Sequence, residues 1–432
     1  MVDEKSATMD ERFLQFVWKF GLYDSRKLRT VDGTPVKVLS PGQANIDAGP
    51  DFFNARIQIG STVWAGNVEV HRRSSEWYSH KHENDAAYNN VVLHVVKEAD
   101  KPTRNEKGQD VPVLVLHYPE HIEVNYDELM KAKGWIVCQN QFHKVDLLSL
   151  QIWFHSIMIE RLQQKTGIIL ERLRENDMDW NETFYQFLGK NFGFKTNSVP
   201  FEMLCRALPL KIVSKHADNL FQLEALFFGA AGLLNEELIG DDYFISLKNE
   251  FSFLYKKYQF QTVPAHLWKF LRLRPVNFPT IRIAQFAALI HQSSFLFSQL
   301  IEMSNPDSLK KLFRVKASSY WDNHYRFNRS SPEDEKWLGD SSFANIVINT
   351  FVPFLFVYAE YNSNSELKDK ALDFLEKIPP EDNSIIDNWK TLGVPMRSSF
   401  DTQALLQLKN EYCDKRKCLN CPVGSKLVKS LA

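Results

Sequence analysis

Residues 50–71, PDFFNARIQIGSTVWAGNVEVH, constrain the fold of this chain more than any other stretch. Two runs of strand-forming residues flank Gly60-Ser61, so the segment reads as two strands joined by a glycine turn. Side chains alternate between the faces of a strand. Glu69 and His71 therefore share one side of the second strand, and Val68 and Val70 share the other. If the strands pair as a hairpin, the start of the first lies beside the end of the second, and Asp51 sits next to Glu69 and His71. Two carboxylates and an imidazole converging at a strand end are a donor set for a divalent cation.

The flanking sequence supplies the rest of an α/β unit. Residues 9–22 carry Phe13, Phe16, Val17, Phe20 and Leu22 at helical spacing. Residues 28–40 hold two short β runs around Asp32-Gly33, and PGQANIDAGP then reads as a loop that delivers the chain to Asp51. After His71, Ser74-Ser75-Glu76-Trp77 begins like a capped helical turn, and SHKHENDAAYNN continues as a short helix or ordered loop. Val91 to Val96 (VVLHVV) and Val111 to His117 (VPVLVLH) read as further strands around a polar loop.

From about residue 145 the periodicity is almost wholly helical, with candidate helices at 147–174, 181–192, 200–208, 217–234, 241–257, 281–303, 343–361, 366–376 and 402–412. Asn181 and Asp241 are the expected caps of two of them. The expected fold class is α+β, an α/β domain over residues 1–143 followed by a large all-α domain over 144–432. A chain of 432 residues is too long for one ordinary core. Its 32 Phe residues suit large, well-filled interiors.

A formal net charge of −1 gives no global field to attract nucleic acid or an anionic membrane, although a local basic cleft does not show in such a total. The N-terminus lacks the basic and apolar regions of a signal peptide. The apolar runs at 220–234 and 348–359 are short of a membrane span. Five cysteines in so long a chain make no disulfide framework. A cytoplasmic, reducing location with no membrane association is expected, and the oligomeric state is open.

Three further constellations carry chemistry. His80, His82 and Asp85 lie in HKHEND. With Glu69 they would suit zinc or another transition metal, provided the segment does not send the two imidazoles to different sides. Seven of the 12 histidines precede residue 144, whereas His94 in the middle of VVLHVV reads as a hydrogen-bonded core histidine. Cys413, Cys418 and Cys421, in CDKRKCLNCPVG, have the close spacing of zinc knuckles and iron–sulfur loops, so a Zn2+ ion or a 4Fe-4S cluster is the expected cofactor there. Arg72-Arg73 follow the second strand, where phosphate contacts would be useful, and Arg272, Arg274, Arg282, Lys310, Lys311 and Arg314 form a looser basic series. No P-loop, dinucleotide-binding glycine motif or nucleophile elbow is present.

Pro50-Asp51 followed by Glu69-Val70-His71, with a helix before and a helix–strand crossover after, resembles the PD-(D/E)XK nuclease superfamily over about a quarter of the chain. The resemblance implies a restriction-endonuclease-like domain in which Asp51 and Glu69 hold Mg2+ or Mn2+. His71 stands in the catalytic position where the family has lysine, and Lys37 or Lys97 are candidates for a displaced one. The cysteine tail resembles the cluster loops of iron–sulfur DNA enzymes, including AddB-type nucleases, which implies Cys138 as a fourth ligand, with Cys205 the alternative. GPDFFNARI, GNVEVH, the H-x-H stretch and CLNC also resemble an uncharacterised bacterial family of unknown function. The expected activity is that of a Mg/Mn-dependent nuclease acting on DNA or RNA. The alternatives are a non-catalytic nucleic-acid-binding or scaffold protein with a degenerate nuclease fold, and a metallohydrolase using histidines and carboxylates.

Overall fold

The computed structural model describes residues 4–45, 47–234, 240–293, 296–303 and 305–430, with side chains from residue 11 onward. The chain divides into two compact units, one of residues 1–146 with 410–432 and the other of residues 147–409.

The first unit is built on a mixed sheet in the order β1-β3-β4-β5-β8. β1 is Val36–Ser40, β2 Gln43–Ala44, β3 Phe52–Ile59 and β4 Thr62–Arg73. β5 is Val91–Glu98, and the short β6 (Thr103–Arg104), β7 (Asp110–Val111) and β8 (Val113–Val115) follow. The central hairpin forms as the alternation predicts: β3 and β4 are antiparallel, with Ile59 opposite Thr62 across the turn and Phe52 opposite Val68 at the other end. Two extra features sharpen the entry to β3. Gln43 and Ala44, expected in a loop, pair with Phe53 and Phe52. A bulge between Phe52 and Ala55, with Asn54 at φ 55°, re-aims the chain just after Asp51.

β4 and β5 are parallel, Glu69 lying opposite His94, so the segment between them is a crossover. It contains α2 (Glu76–Ser79) and two 3₁₀ turns, His82–Asn84 and Ala86–Tyr88. Trp77 anchors it. Its ring is fully buried with Tyr88, Val91 and Val111, and its Nε1 donates to the Arg104 carbonyl at 2.9 Å. On the sheet, α1 (Glu4–Lys19) packs against β4 through its apolar stripe of Phe13, Leu14, Phe16, Val17 and Trp18, all buried.

The expected division at 143/144 is corrected at the C-terminus. Residues 410–432, which carry the cysteine loop, belong to the first unit and not to the helical domain. The C-terminal helix Pro422–Lys429 packs on α3 (Glu120–Lys131), and Asn125 Nδ2 donates to the carbonyls of Val428 (3.2 Å) and Ser430 (2.8 Å). No sequence signal separates this helix from the preceding ones; its partner α3 is itself absent from the expected elements.

The second unit is helical, opening with the 29-residue α4 (Leu147–Glu175). It also contains one small hairpin, His324–Arg326 with Arg329–Ser330, where an all-α domain is expected. The helix expected from residue 181 begins at Trp180, and its cap is Asp179, not Asn181: the Asp179 carboxylate accepts from Asn181 N–H and Glu182 N–H. Asp241 caps its helix as expected, accepting from Phe244 N–H at 2.9 Å. The single helix expected over 281–303 is two, Pro279–Gln292 and Leu296–Glu302. Around the apolar run 348–359, a continuous helical stretch of 22 residues (Asp340–Tyr361) passes through a π turn at Val347–Phe351. It is long and apolar enough to span a membrane, but 78% of its most apolar window is buried within the protein. In that turn Asn191 Nδ2 donates to the carbonyl of Asn349 (3.3 Å) and to Thr350 Oγ1 (2.8 Å).

Candidate metal centre

The two strand ends of the hairpin are tied by a reciprocal pair of hydrogen bonds. Asp51 N–H donates to Glu69 Oε2 (3.1 Å), and Val70 N–H donates to Asp51 Oδ2 (3.0 Å). Gln15 from α1 donates to the other Asp51 oxygen at 2.8 Å. Both Asp51 oxygens are thus supplied with donors, while Glu69 leaves Oε1 to face the histidines.

His71, two residues on, shares the Glu69 face, with its Nε2 at 3.4 Å from Glu69 Oε1. His82 Nε2 lies 3.3 Å from the same oxygen. His80 Nδ1 is 3.1 Å from His71 Nε2, and ligand atoms of His71, His80 and His82 all lie within 4.8 Å of one another. The two-residue spacing of His80 and His82 works because the segment is neither one helix nor extended. His80 caps the end of α2, Lys81 adopts a left-handed conformation at φ 63°, and His82 opens a 3₁₀ turn, which brings both imidazoles beside His71, His82 buried and His80 exposed.

The dimensions suit an ion. A tetrahedral site with bonds of about 2.0–2.1 Å to nitrogen and oxygen requires donor–donor separations of about 3.3–3.4 Å. The His82 Nε2 atom is buried and has no hydrogen-bond partner, although it points at Glu69. An orphaned polar atom in so close-packed a place calls for a ligand.

The electrostatics agree. Burial pushes the Glu69 carboxyl up to about 8, with Glu11 adding to the effect and the Asp51 N–H opposing it. Burial, then the charge of Glu69, raises Asp51 to about 7. Burial, then Asp51 and Glu76, raises Glu11 to about 7. Three crowded, buried acids with raised affinities for protons favour a cation bound among them. Burial lowers His71, His80, His82 and His94, which favours the neutral imidazole, the form that coordinates metal.

Around these donors stands a supporting layer. His71 Nδ1 and His94 Nε2 share a hydrogen bond of 2.9 Å, so His94 is indeed a hydrogen-bonded core histidine, and one that fixes the orientation of His71. Tyr88 stacks on His82 with ring centroids 3.7 Å apart, and the Trp77 ring meets His82 edge-on.

Other residues singled out by sequence lie elsewhere. Asp85 is exposed and accepts from Ala87 N–H (2.9 Å), capping the 3₁₀ turn Ala86–Tyr88 and taking no part in the histidine group. The Arg72 and Arg73 N–H groups both donate to Glu76 Oε2, and the Arg73 side chain pairs with Glu98 at 3.2 Å. Lys97 pairs with Glu123, and Lys37 lies opposite Gln58, seven residues along β3 from Asp51. In the second unit, Arg282 is buried against Gln285, Asn277 and Ser342, and Lys310 pairs with Asp340, so these two serve the scaffold. Gln15, Glu11 and Tyr88 were missed in the sequence because nothing in their own neighbourhoods links them to the hairpin.

The cysteine loop is tightly wound. Cys421 N–H donates to the Cys418 carbonyl, and Cys421 is the N-cap residue of the C-terminal helix, its own carbonyl accepting from Ser425 N–H at 2.8 Å. A Cβ on Gly424 would meet the Cys418 carbonyl oxygen at 2.3 Å. Cys138 is buried near enough to Cys421 and Cys418 that both add to the upward push of burial on its thiol. Cys413 precedes them on a π-helical turn. Cys205 is buried in the other unit beside Tyr185 and Gly189.

Comparison with curated proteins and with solved structures finds no match. A family profile described as "Protein of unknown function (DUF2851)" matches residues 11–384, which covers the hairpin, the histidines and most of the helical unit. On that match the chain belongs to the DUF2851 family.

Proposed function

We propose that this protein is a metal-dependent hydrolase whose ion is held by Glu69, His71, His80 and His82. The observation that carries this reading is the position of Glu69 Oε1, 3.4 Å from His71 Nε2 and 3.3 Å from the unpartnered His82 Nε2. Three imidazoles and one carboxylate favour zinc or another transition ion over magnesium, which prefers oxygen donors. Such an ion polarises a bound oxygen and makes water acidic enough to attack near neutral pH. Asp51, with its carboxyl near 7, stands beside Glu69 as the general base. The thiols of Cys138, Cys413, Cys418 and Cys421 would hold a second, structural Zn2+ or 4Fe-4S cluster.

A second reading keeps Mg2+ or Mn2+ between Asp51 and Glu69, as in the PD-(D/E)XK nuclease core that residues 50–71 resemble. The raising of the Asp51 carboxyl by burial and then by the charge of Glu69 favours it. Metal analysis of the purified full chain separates the two readings, together with calorimetric titration of the metal-stripped protein with Zn2+, Mn2+ and Mg2+. The first predicts a tightly bound transition ion, in addition to any metal on the cysteines, that is lost in Glu69→Ala and in His82→Ala. The second predicts that Mg2+ or Mn2+ binds and that His82→Ala leaves it in place. A wild-type protein that takes up none of these ions overturns both.

A further inference from the structure

A cavity of about 1230 Å³ lies within the first unit and has Asp51 and Gln15 in its wall. Its lining charge is one-sided. Arg12 and Lys19 come from α1, Arg416 and Lys417 from the cysteine loop, and Lys426 and Lys429 from the C-terminal helix. Among the described residues of the lining, Asp51 is the single acid. Lys415 also borders it but pairs with Glu411 at 2.5 Å, and Arg416 donates to the Met130 carbonyl at 2.7 Å. Arg12, Lys19, Lys417, Lys426 and Lys429 remain, and none of them forms an ion pair among the described residues. In a chain of net charge −1, such a concentration of positive charge is a local field aimed at an anion.

Aromatic rings interleave with the cations. Phe16, Phe20, Phe52 and Tyr126 line the same space, and Phe20 is 45% exposed with the Lys429 ammonium 3.8 Å from its ring centre. An exposed ring beside a row of cations is the combination that holds a single strand, phosphates on the cations and a base on the π face. A membrane headgroup layer would call for a flat or convex basic face, whereas this surface is a cavity. Its volume also exceeds the usual range for one drug-sized ligand.

We infer that this cavity binds single-stranded nucleic acid and leads its backbone to Asp51 at the edge of the metal centre. The metal-dependent hydrolase reading supplies the cut; the binding itself does not depend on it. Five cations on a single strand give a salt slope of about −3.5, or a loss of roughly a hundredfold in affinity between about 50 and 200 mM salt.

The test is fluorescence anisotropy of a labelled single strand of about 16 nucleotides with the full-length, metal-loaded protein. Lys417→Glu/Lys426→Glu is expected to weaken binding at least tenfold and flatten the salt slope, and Phe20→Ala to weaken it about tenfold with the slope unchanged. Lys211→Glu, in the other unit, is the charge control and should bind as wild type. Circular dichroism checks that each variant is folded; if the double variant is not, Arg12→Gln is read in its place. Overturning results are unchanged binding in the folded cavity variants, an equal loss in the control, or displacement of the strand by phosphatidylserine vesicles or polyphosphate as readily as by unlabelled strand. His82→Ala keeps the two readings apart. Strand binding that survives loss of the ion leaves this inference standing, and a metal-loaded wild type that binds no strand sinks it alone.

Discussion

Glu69→Gln should make the metal-free protein more stable and the metal-loaded protein less so. Glu69 is 4% exposed and its carboxyl is raised from 4.5 to about 8, chiefly by burial. An acid whose folded pKa is raised contributes its stability below the unfolded pKa and loses it as pH climbs toward the folded value, because the native state holds the proton longer. At pH 7 the unfolded chain has already ionised and the folded one has not, a gap of about 2.5 pH units, so the metal-free wild type has lost about 3 kcal/mol. A glutamine avoids this loss and still accepts from the Asp51 N–H. For a unit of this size about 3 kcal/mol corresponds to roughly 6–12 °C in melting temperature. With an ion at a thousand times its dissociation constant the wild type gains about 4.1 kcal/mol, more than it has lost, and the variant, lacking the charge, gains little. Calorimetric melts at pH 7 with chelator and with Zn2+ give four numbers, and the expectation is that the order of the two proteins reverses. A metal-free Glu69→Gln protein less stable than wild type, or an equal response of both to Zn2+, would refute the assignment of Glu69 as a buried, metal-compensated charge.

Three further outcomes are expected. His94→Asn, which loosens the hydrogen bond that orients His71, should weaken ion binding about 10–100-fold in a chelator competition, and an unchanged affinity would deny His94 that role. In the helical unit, Glu224 is fully buried, accepts from Tyr243 and Ser318, and is raised by burial to about 7. Urea unfolding of the wild type should show about 3 kcal/mol of stability present below pH 4.5 and lost as pH rises through 7, and Glu224→Gln should flatten that part of the profile. Gly424→Ala should spring the cysteine loop, because a Cβ there meets the Cys418 carbonyl at 2.3 Å; a variant that keeps its cysteine-bound zinc or visible iron–sulfur absorbance counts against that picture.

The hairpin was readable because strand alternation is a local property. Once Gly60-Ser61 turns the chain, Asp51 must arrive beside Glu69, and Glu69 must share a face with His71. The same holds for the long apolar helices, whose periodicity needs no partner to be seen, and for the cap at Asp241. The cap at Asp179 shows the limit. Asp179 and Asn181, two residues apart, both carry capping side chains, and only the backbone path decides which one turns back on the helix.

The sequence by itself determined a two-part chain, an α/β hairpin unit with acids at its strand ends, a helical unit, and clustered histidines and cysteines. Tertiary structure decided what those groups do together. The left-handed turn at Lys81 brings His80 and His82 into one group, the parallel register of β4 and β5 sets His94 behind His71, and residues 410–432 return to the first unit with their lysines around a cavity that reaches Asp51. Each depends on contacts between residues far apart in the chain, and no periodicity records those. The acids and histidines were in view from the sequence; their convergence, and the basic cavity at their edge, exist only in the fold.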